Sequence, residues 1–389
     1  MLTSPLAIVT CLAAIVAIVF QVADRPALAP LFRRLPAVFW VYVLPMILTS
    51  LGILPAENPL YGVLARNLLP ASLALILLSS DLKAIMRLGP RALAAMAAAS
   101  LGVAAGAVVA FLTLGRALGA GSWKVFAALT GTWIGGSANL IAVATSLGLP
   151  ADAQGIAILV DTVVAYTWMA LLIAVSGRQA ALDRRLRADR AEVTAIGARI
   201  ADRLASDRRP TSVADATLLV GVALSVSVIS MAIGRRIPPL GDVLTPFAWG
   251  ILILTSVGLA LSLTPLAHYD GAGASSLGYA GFYLLLASVG AQANLRNIVA
   301  QPLWIVAGAI VIAVHGLILL AGLRLLRAPA FFFGAASQAA IGGYASAPVV
   351  AEIYQPGLAP VGLLLAVVGN VLGTYVGLAV GQLLAWLAG

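Results

Sequence analysis

Twelve apolar stretches, most of them close to the roughly 20 residues that cross a bilayer core, run through this 389-residue chain. They are centred near residues 13, 46, 70, 103, 135, 165, 224, 252, 283, 312, 340 and 372. In hydrocarbon every backbone N–H and C=O must be satisfied within the protein, so such stretches become helices or closed barrels. A barrel strand alternates apolar and polar residues over about 10 positions, whereas these stretches are continuous and rich in Ala, Leu, Val and Gly. The chain therefore reads as an all-α, multi-pass membrane protein. With 62% apolar residues, 10% charged residues and a mean hydropathy of +1.05, a soluble globule is excluded. The formal charge of +9 is then a matter of topology and not of nucleic-acid binding.

The single cysteine, Cys11, excludes an internal disulfide and a multi-cysteine metal site. The opening "MLTSPLAIVT" lacks a basic n-region, so the segment from about 5 to 21 reads as a retained first helix and not a cleaved leader. Residues 178–209 stand apart, with nine arginines and five acids. Their apolar positions Leu182, Leu186, Val193, Ile196, Ile200 and Leu204 recur at spacings of three, four and seven, as in an amphipathic helix lying on or beside the membrane. The arginines place this linker in the cytoplasm. It divides the chain into a first transmembrane repeat (1–177), a charged linker (178–211) and a second transmembrane repeat (212–389).

The two halves resemble each other. "IGGSANLIAVA" from Ile134 has a counterpart in "IGGYASAPVVAEI" from Ile341, and "DTVVAY" from Asp161 pairs with "NVLGTY" from Asn370. Upstream, "SSDLKAI" at 79 matches "QANLRNI" at 292, and "ILTSLG" at 47 matches "ILTSVG" at 253. Four matches in one order point to a duplication. If all twelve stretches cross, however, the glycine-broken segments are separated by an even number of crossings and the copies are parallel. An inverted pair requires that a stretch fail to span, or that another, uncounted one cross.

Glycine pairs at corresponding positions of two halves mark the substrate site of a secondary transporter. Gly135 with Gly136, and Gly342 with Gly343, lower the cost of unwinding in mid-membrane, and the freed backbone groups need a partner. Helix N-termini attract anions, while C-terminal ends and freed carbonyls suit cations. Asp161 lies inside an apolar span, where a carboxylate costs about 2.5 to 3.5 kcal/mol on insertion scales. It reads as the carrier of a proton or of Na+, with Thr162, Ser137, Asn139, Thr130 and Thr132 as neutral oxygen ligands. The second half offers neutral groups, Ser337, Gln338, Tyr344, Ser346 and Asn370, suited to a polar organic substrate. His315, within the span "VIAVHGLILL", reads either as a proton-coupling group or as a histidine bonded to a neighbouring carbonyl.

Absences narrow the class. No G-x-x-x-x-G-K-[ST] phosphate cradle, H-E-x-x-H pair or G-x-S-x-G elbow occurs, which counts against ATP-driven pumping and familiar hydrolysis. The expectation is no enzyme and no cofactor beyond Na+ or H+ as coupling ion.

"DLKAIMRLGP", then "GTWIGGSANLIAVA", then a span bearing Asp161, with a weaker second copy, resembles the YjcL-like family of bacterial multi-pass membrane proteins, a domain of unknown function. The resemblance covers essentially the whole chain and extends to the superfamily of sodium/proton antiporters and bile acid/sodium symporters. It implies two inverted structural repeats with crossing broken helices, divided between a core domain and a panel domain. Carried over, the crossing helices hold Gly135, Gly136, Ser137 and Asn139 in one repeat and Gly342, Gly343 and Ser346 in the other. Asp161 falls on the helix that bears the ion-binding acid, and His315 on the helix where antiporters often place a basic residue, though no lysine is present. Residues and resemblance together lead to an expected cation-coupled symporter of a small carboxylate, amino acid or short peptide, with elevator-like movement in the bacterial inner membrane. A monovalent cation/proton antiporter and a non-transporting scaffold or receptor are the alternatives. Expected partners are the solute, the bilayer and, as a candidate, a second copy of the chain.

Overall fold

The computed structural model describes residues 2–35, 37–80, 82–86, 88–188, 209–293 and 301–389. Among the described residues the chain is helical, and β pairing is limited to an isolated Leu240–Leu244 bridge. The first half contains α1 (Pro5–Ala23), α2 (Ala29–Arg34), α3 (Ala37–Ser50), α4 (Pro59–Leu78), α5 (Leu82–Met86), α6 (Pro90–Leu118), α7 (Ser122–Gly135), α8 (Ser137–Ser146), α9 (Ala151–Ser176) and α10 (Gln179–Leu186). The second contains α11 (Val213–Gly234), α12 (Pro246–Leu261), α13 (Ala274–Gln292), α14 (Leu303–Leu326), α15 (Phe331–Ile341), α16 (Gly343–Tyr354) and α17 (Ala359–Leu387).

Local sequence sets many of these boundaries. Proline occupies the first helical position of α1, α4, α6 and α12, where its missing N–H costs nothing. At α11 the Ser212 hydroxyl accepts from the Asp215 N–H and the Asp215 carboxylate accepts from the Ser212 N–H. Arg209 grips the same carboxylate at 2.6 and 2.7 Å, which holds its guanidinium further above the usual arginine range.

Eight described helices are long and apolar enough to cross a membrane: α1, α4, α6, α9, α11, α13, α14 and α17. A ninth arises if the segment leading into α3, bent from it by 83°, is counted as one span with it. The expected twelve spans are thus too many. The stretches centred near 135 and 340 fail for a specific reason, since each is a helical hairpin that turns back at its glycine pair.

In the first hairpin, a Cβ on Gly131 would lie 3.1 Å from both the Asn139 carbonyl oxygen and Val143 Cγ2. In a straight helix residues 131 and 143 stand about 18 Å apart. Gly136, at φ +85°, adopts the left-handed-side backbone that glycine accepts without penalty and makes the reversal. In the second hairpin Gln338 Nε2 donates to Ser346 Oγ at 2.7 Å, and the Tyr354 ring lies against Gly334. Gly343, at φ +59°, begins its second arm.

Two long helices carry both hairpins. On α17, Gly362 packs against Ala347 and Ala351 of the second hairpin, and further along Gly381 packs between Ala127 and Leu147 of the first. On α9 the order is reversed. Asp161 meets Thr132 of the first hairpin, then Trp168 bonds Ser337 and the Leu172 carbonyl accepts from Tyr354 of the second. Helices α9 and α17 therefore run in opposite directions, and the hairpins approach from opposite ends until their tips meet: a Cβ on Gly343 would sit 3.9 Å from Gly136 Cα. Helices α6 and α14 are likewise antiparallel, with Gly102 against His315 and Gly106 against Val311, as are α4 and α13, with Gly278 against Leu75 and Gly281 against Ser72.

Packing separates two bundles. Helices α1, α3, α4, α11, α12 and α13 associate mainly with one another, and α6 to α9 with α14 to α17 form the second bundle around the hairpins. Among the hydrogen bonds joining them are Tyr42 to the Ala151 carbonyl and Ser256 with Tyr375. Of the expected amphipathic linker helix, α10 carries Leu182 and Leu186, and its Asp183 accepts from the Ala330 N–H at 2.7 Å. Val193, Ile196, Ile200 and Leu204 lie outside the described residues, as do Asp81 and the stretch from 294 to 300, which belong to the two copies of one repeat match.

Candidate functional site

Where the two tips meet α9, a cavity of about 110 Å³ opens between the bundles. The first hairpin contributes Thr132, Gly136, Ser137, Leu140 and Ile141, and the second Gln338, Ile341, Gly342 and Ser346. Helix α9 lays Ile158, Asp161, Thr162, Ala165 and Tyr166 along it. From the other bundle only Val38 of α3 and Leu286 of α13 reach the cavity. Its wall is thus a ring of polar groups at the tips backed by aliphatic side chains.

Asp161 supplies the charge. Its Oδ2 accepts a long hydrogen bond from Thr132 Oγ1, 3.4 Å, while Oδ1 is buried short of a full hydrogen bond, with the buried and equally unpartnered Trp133 indole N–H facing the same carboxylate. Gln338 gives its Nε2 to Ser346, and its Oε1 is likewise buried and unpartnered. Two acceptor oxygens short of a full hydrogen bond therefore belong to side chains of one small cavity. An orphaned buried acceptor costs about 1 to 3 kcal/mol and more if charged, so this arrangement is suited to a cation or to a donor-bearing ligand. Around it the ends of four helical arms converge, and the N-termini of α8 and α16 have no side-chain cap.

The residues expected from sequence divide into two groups. Asp161, Thr162, Thr132, Ser137, Gly136, Gln338, Gly342 and Ser346 come together at the cavity. The others stand behind it. Thr130 is fully buried and donates to the Phe126 carbonyl of its own helix, so it offers no ligand to the cavity. Asn139, two positions from Ser137 and so about 200° around α8, faces α17. Its Nδ2 donates to Gly135 O at 2.7 Å and to Asn370 Oδ1 at 2.9 Å, and its Oδ1 accepts from Thr374 Oγ1 at 2.6 Å. Asn139 and Asn370 thus clamp the first hairpin to α17, and Gly135 packs beneath them against the Gly369 carbonyl. Gly343 makes the tip-to-tip approach, and Tyr344 packs against the apolar cluster under the second hairpin.

Ser337 and His315 also lie behind the hairpin. Trp168 Nε1 donates to Ser337 Oγ at 2.8 Å, Ser337 Oγ lies 2.8 Å from His315 Nε2, and His315 Nδ1 lies 2.9 Å from Ala99 O. A carbonyl only accepts, so Nδ1 carries the proton and Nε2 accepts from Ser337. This is the carbonyl-bonded alternative for His315. Glu352 caps the turn into α17, accepting from the Gly357 and Ala359 N–H groups.

Eight cavity residues were missed from sequence, the aliphatic Val38, Leu140, Ile141, Ile158, Ala165, Leu286 and Ile341 and the polar Tyr166. Tyr166 was legible, since 158, 161, 162, 165 and 166 repeat the i, i+3, i+4, i+7, i+8 pattern of one helical face. Val38 and Leu286 carry no local signal, because tertiary packing brings them in.

The fold and the cavity define a polytopic helical membrane protein with a charged site between two re-entrant hairpins. The family described as "Protein of unknown function (DUF819)" matches residues 8–387, and the chain belongs to it. It is also 24% identical over 353 residues, 87% of each chain, to "Uncharacterized membrane protein YjcL" of Bacillus subtilis (strain 168).

Proposed function

We propose that this protein is a secondary active transporter in which Asp161 binds a monovalent cation, Na+ or H+, together with a small organic solute. The observation that carries the reading is the unpartnered Asp161 Oδ1, buried at a cavity between two hairpin tips. Among the described residues no three His, Cys, Asp or Glu side chains converge. A divalent ion takes six or more oxygens, commonly several of them carboxylates, whereas one carboxylate beside hydroxyl and amide oxygens matches the charge of Na+ or a proton. The aliphatic wall of Val38, Ile141, Ile158, Leu286 and Ile341 favours a solute with an apolar body over a bare ion pathway, and so favours symport over antiport.

Opposed helix directions in α4/α13, α6/α14 and α9/α17 support an inverted duplication, in which the hairpin bundle is the transporting core and the other bundle a panel. With both hairpins re-entrant and with α3 and α12 crossing, the copies are separated by an odd number of crossings, which removes the conflict of the twelve-span count. The same path gathers Arg25, Arg33 and Arg34, Lys83 and Arg91, the linker residues Arg178, Arg184, Arg185, Arg187 and Arg209, and Arg324 and Arg327 on one side of the membrane. This is the pattern of a cytoplasmic face, and we assign the bacterial inner membrane on that basis. Sliding of the core along the panel, elevator fashion, exposes the cavity to each side in turn. One charge crossing about 100 mV supplies about 2.3 kcal/mol for accumulation.

Proteoliposomes test this reading. A sodium or proton gradient is expected to drive solute uptake that Asp161→Asn abolishes. Ion exchange across the vesicles without any solute favours the antiporter, and uptake indifferent to Asp161→Asn overturns the reading.

A further inference from the structure

The cavity has a second pole whose chemistry is opposite to that of Asp161. Ser137 opens α8 at the cavity wall, its hydroxyl makes no hydrogen bond among the described residues, and the first turn of α8 has no side-chain cap. The N-terminus of α16, capped by Gly342, meets the same space and is also without a side-chain cap. Tyr166 lies on the cavity wall, and among the described residues its phenolic hydroxyl has no hydrogen-bond partner. Two helix N-termini each contribute about half a positive charge, and two free hydroxyls add donors beside them. Independently, Gln338, 1% exposed, lines this space with an unpartnered oxygen, an acceptor that calls for the coupling cation, so the polar lining is unfinished without its ligands.

We infer that the solute is a small monocarboxylate whose carboxylate sits at the N-termini of α8 and α16, hydrogen-bonded by Ser137 and Tyr166, with the coupling cation at Asp161. The inference rests on the reading of the cavity as a solute site and names the solute's class. Charge supports it: the cation neutralises Asp161, and the two half-charges of the helix ends offset one carboxylate. A second carboxylate has no counterpart, since among the described residues no Lys, Arg or His lines the cavity. Size sets the length. A cavity of about 150 Å³ accepts benzene, so about 110 Å³ takes an acid of about four or five non-hydrogen atoms. Acetate and propionate are of that size, and a short peptide is not. Tyr166 is then the residue that reads the acid group.

The test is thermal unfolding of the purified full-length protein in detergent, with sodium or N-methylglucamine chloride at equal ionic strength. The probes are acetate, propionate, acetamide, propionamide, succinate and glycine. In sodium, propionate is expected to raise the midpoint saturably, while propionamide and succinate do not. Tyr166→Phe and Ser137→Ala are each expected to weaken the propionate response about tenfold, and the midpoint shift produced by sodium alone, which Asp161→Asn removes, is expected to persist in Tyr166→Phe. The inference is overturned if propionamide acts as strongly as propionate, if no acid acts saturably, or if both variants respond as the parent does. Glycine acting equally with and without sodium also overturns it, because the solute's own ammonium then serves Asp161. Failure of the transporter reading looks different: neither sodium nor acid shifts the midpoint, and Asp161→Asn changes nothing.

Discussion

Asn139 donates its side-chain amide to Asn370 across 2.9 Å, joining a hairpin of the first half to the last helix of the second, 231 positions away. Asn139 also bonds Gly135 and Thr374, so it is the hub of the clamp and Asn370 a spoke. Asn139→Ala removes three bonds and strands three buried partners, Gly135 O, Asn370 Oδ1 and Thr374 Oγ1. A loss of about 2 to 4 kcal/mol is expected, against about 1 to 2 for Asn370→Ala. Thermal or denaturant unfolding of the two variants checks the order, and equal losses contradict the hub.

Asp161→Asn is expected to behave in the opposite way. The carboxylate contributes one long hydrogen bond to the fold, so the variant should be as stable as the parent in sodium-free buffer, or more stable, since the cost of a buried charge is gone. Its affinity for sodium should fall at least tenfold. Comparison of unfolding midpoints across a sodium titration measures both, and an undiminished sodium response removes Asp161 from the site.

Glycines on α17 set how closely the first hairpin docks. A Cβ on Gly373 would lie 2.8 Å from the Gly131 carbonyl oxygen and 2.8 Å from Gly135 Cα, both backbone atoms that side-chain rotation cannot move away. Gly373→Ala is expected to cost about 1 to 3 kcal/mol through overpacking. On α11, Gly221 has nothing within 4 Å of such a Cβ, and Gly221→Ala should be neutral within about 0.5 kcal/mol or stabilising. A pair of melting curves decides it.

The Trp168–Ser337–His315–Ala99 chain satisfies a neutral imidazole at both nitrogens. Ser337→Ala strands Trp168 Nε1 and His315 Nε2, and a loss of about 2 to 4 kcal/mol is expected. Because these groups stand behind the hairpin, the pH profile of cation-driven uptake should keep its shape in Ser337→Ala and in His315→Asn. Disappearance of one limb of that profile in His315→Asn shows instead that the imidazole carries a proton.

Much of the site was legible because its signals are local. Asp161 stands out in an apolar span, and the paired glycines mark both tips from composition alone. Direction was not legible. Hydropathy reports that residues 122–146 are apolar but not that the chain reverses at Gly136, which follows from tertiary contacts such as Gly131 against Val143. The only trace in the sequence was the parity conflict between twelve crossings and a duplicated chain. Facing was equally hidden: Ser137 and Asn139 are both polar and two residues apart, yet one lines the cavity and the other holds α17. Neither position carries a periodic signal of its own in a helix that is buried nearly all round.

Helices α9 and α17 each touch both hairpins, in opposite order. They act as two rails fixed to the same pair of sleepers, so the distance between the tips is set by two continuous rods and cannot widen unless both bend. In the proposed transport cycle a ligand lodged there is held by one rigid carriage, and the seam beside Val38 and Leu286 is the part left to open. Cross-links placed between the tips should therefore be harmless to turnover, whereas a cross-link spanning that seam should arrest it.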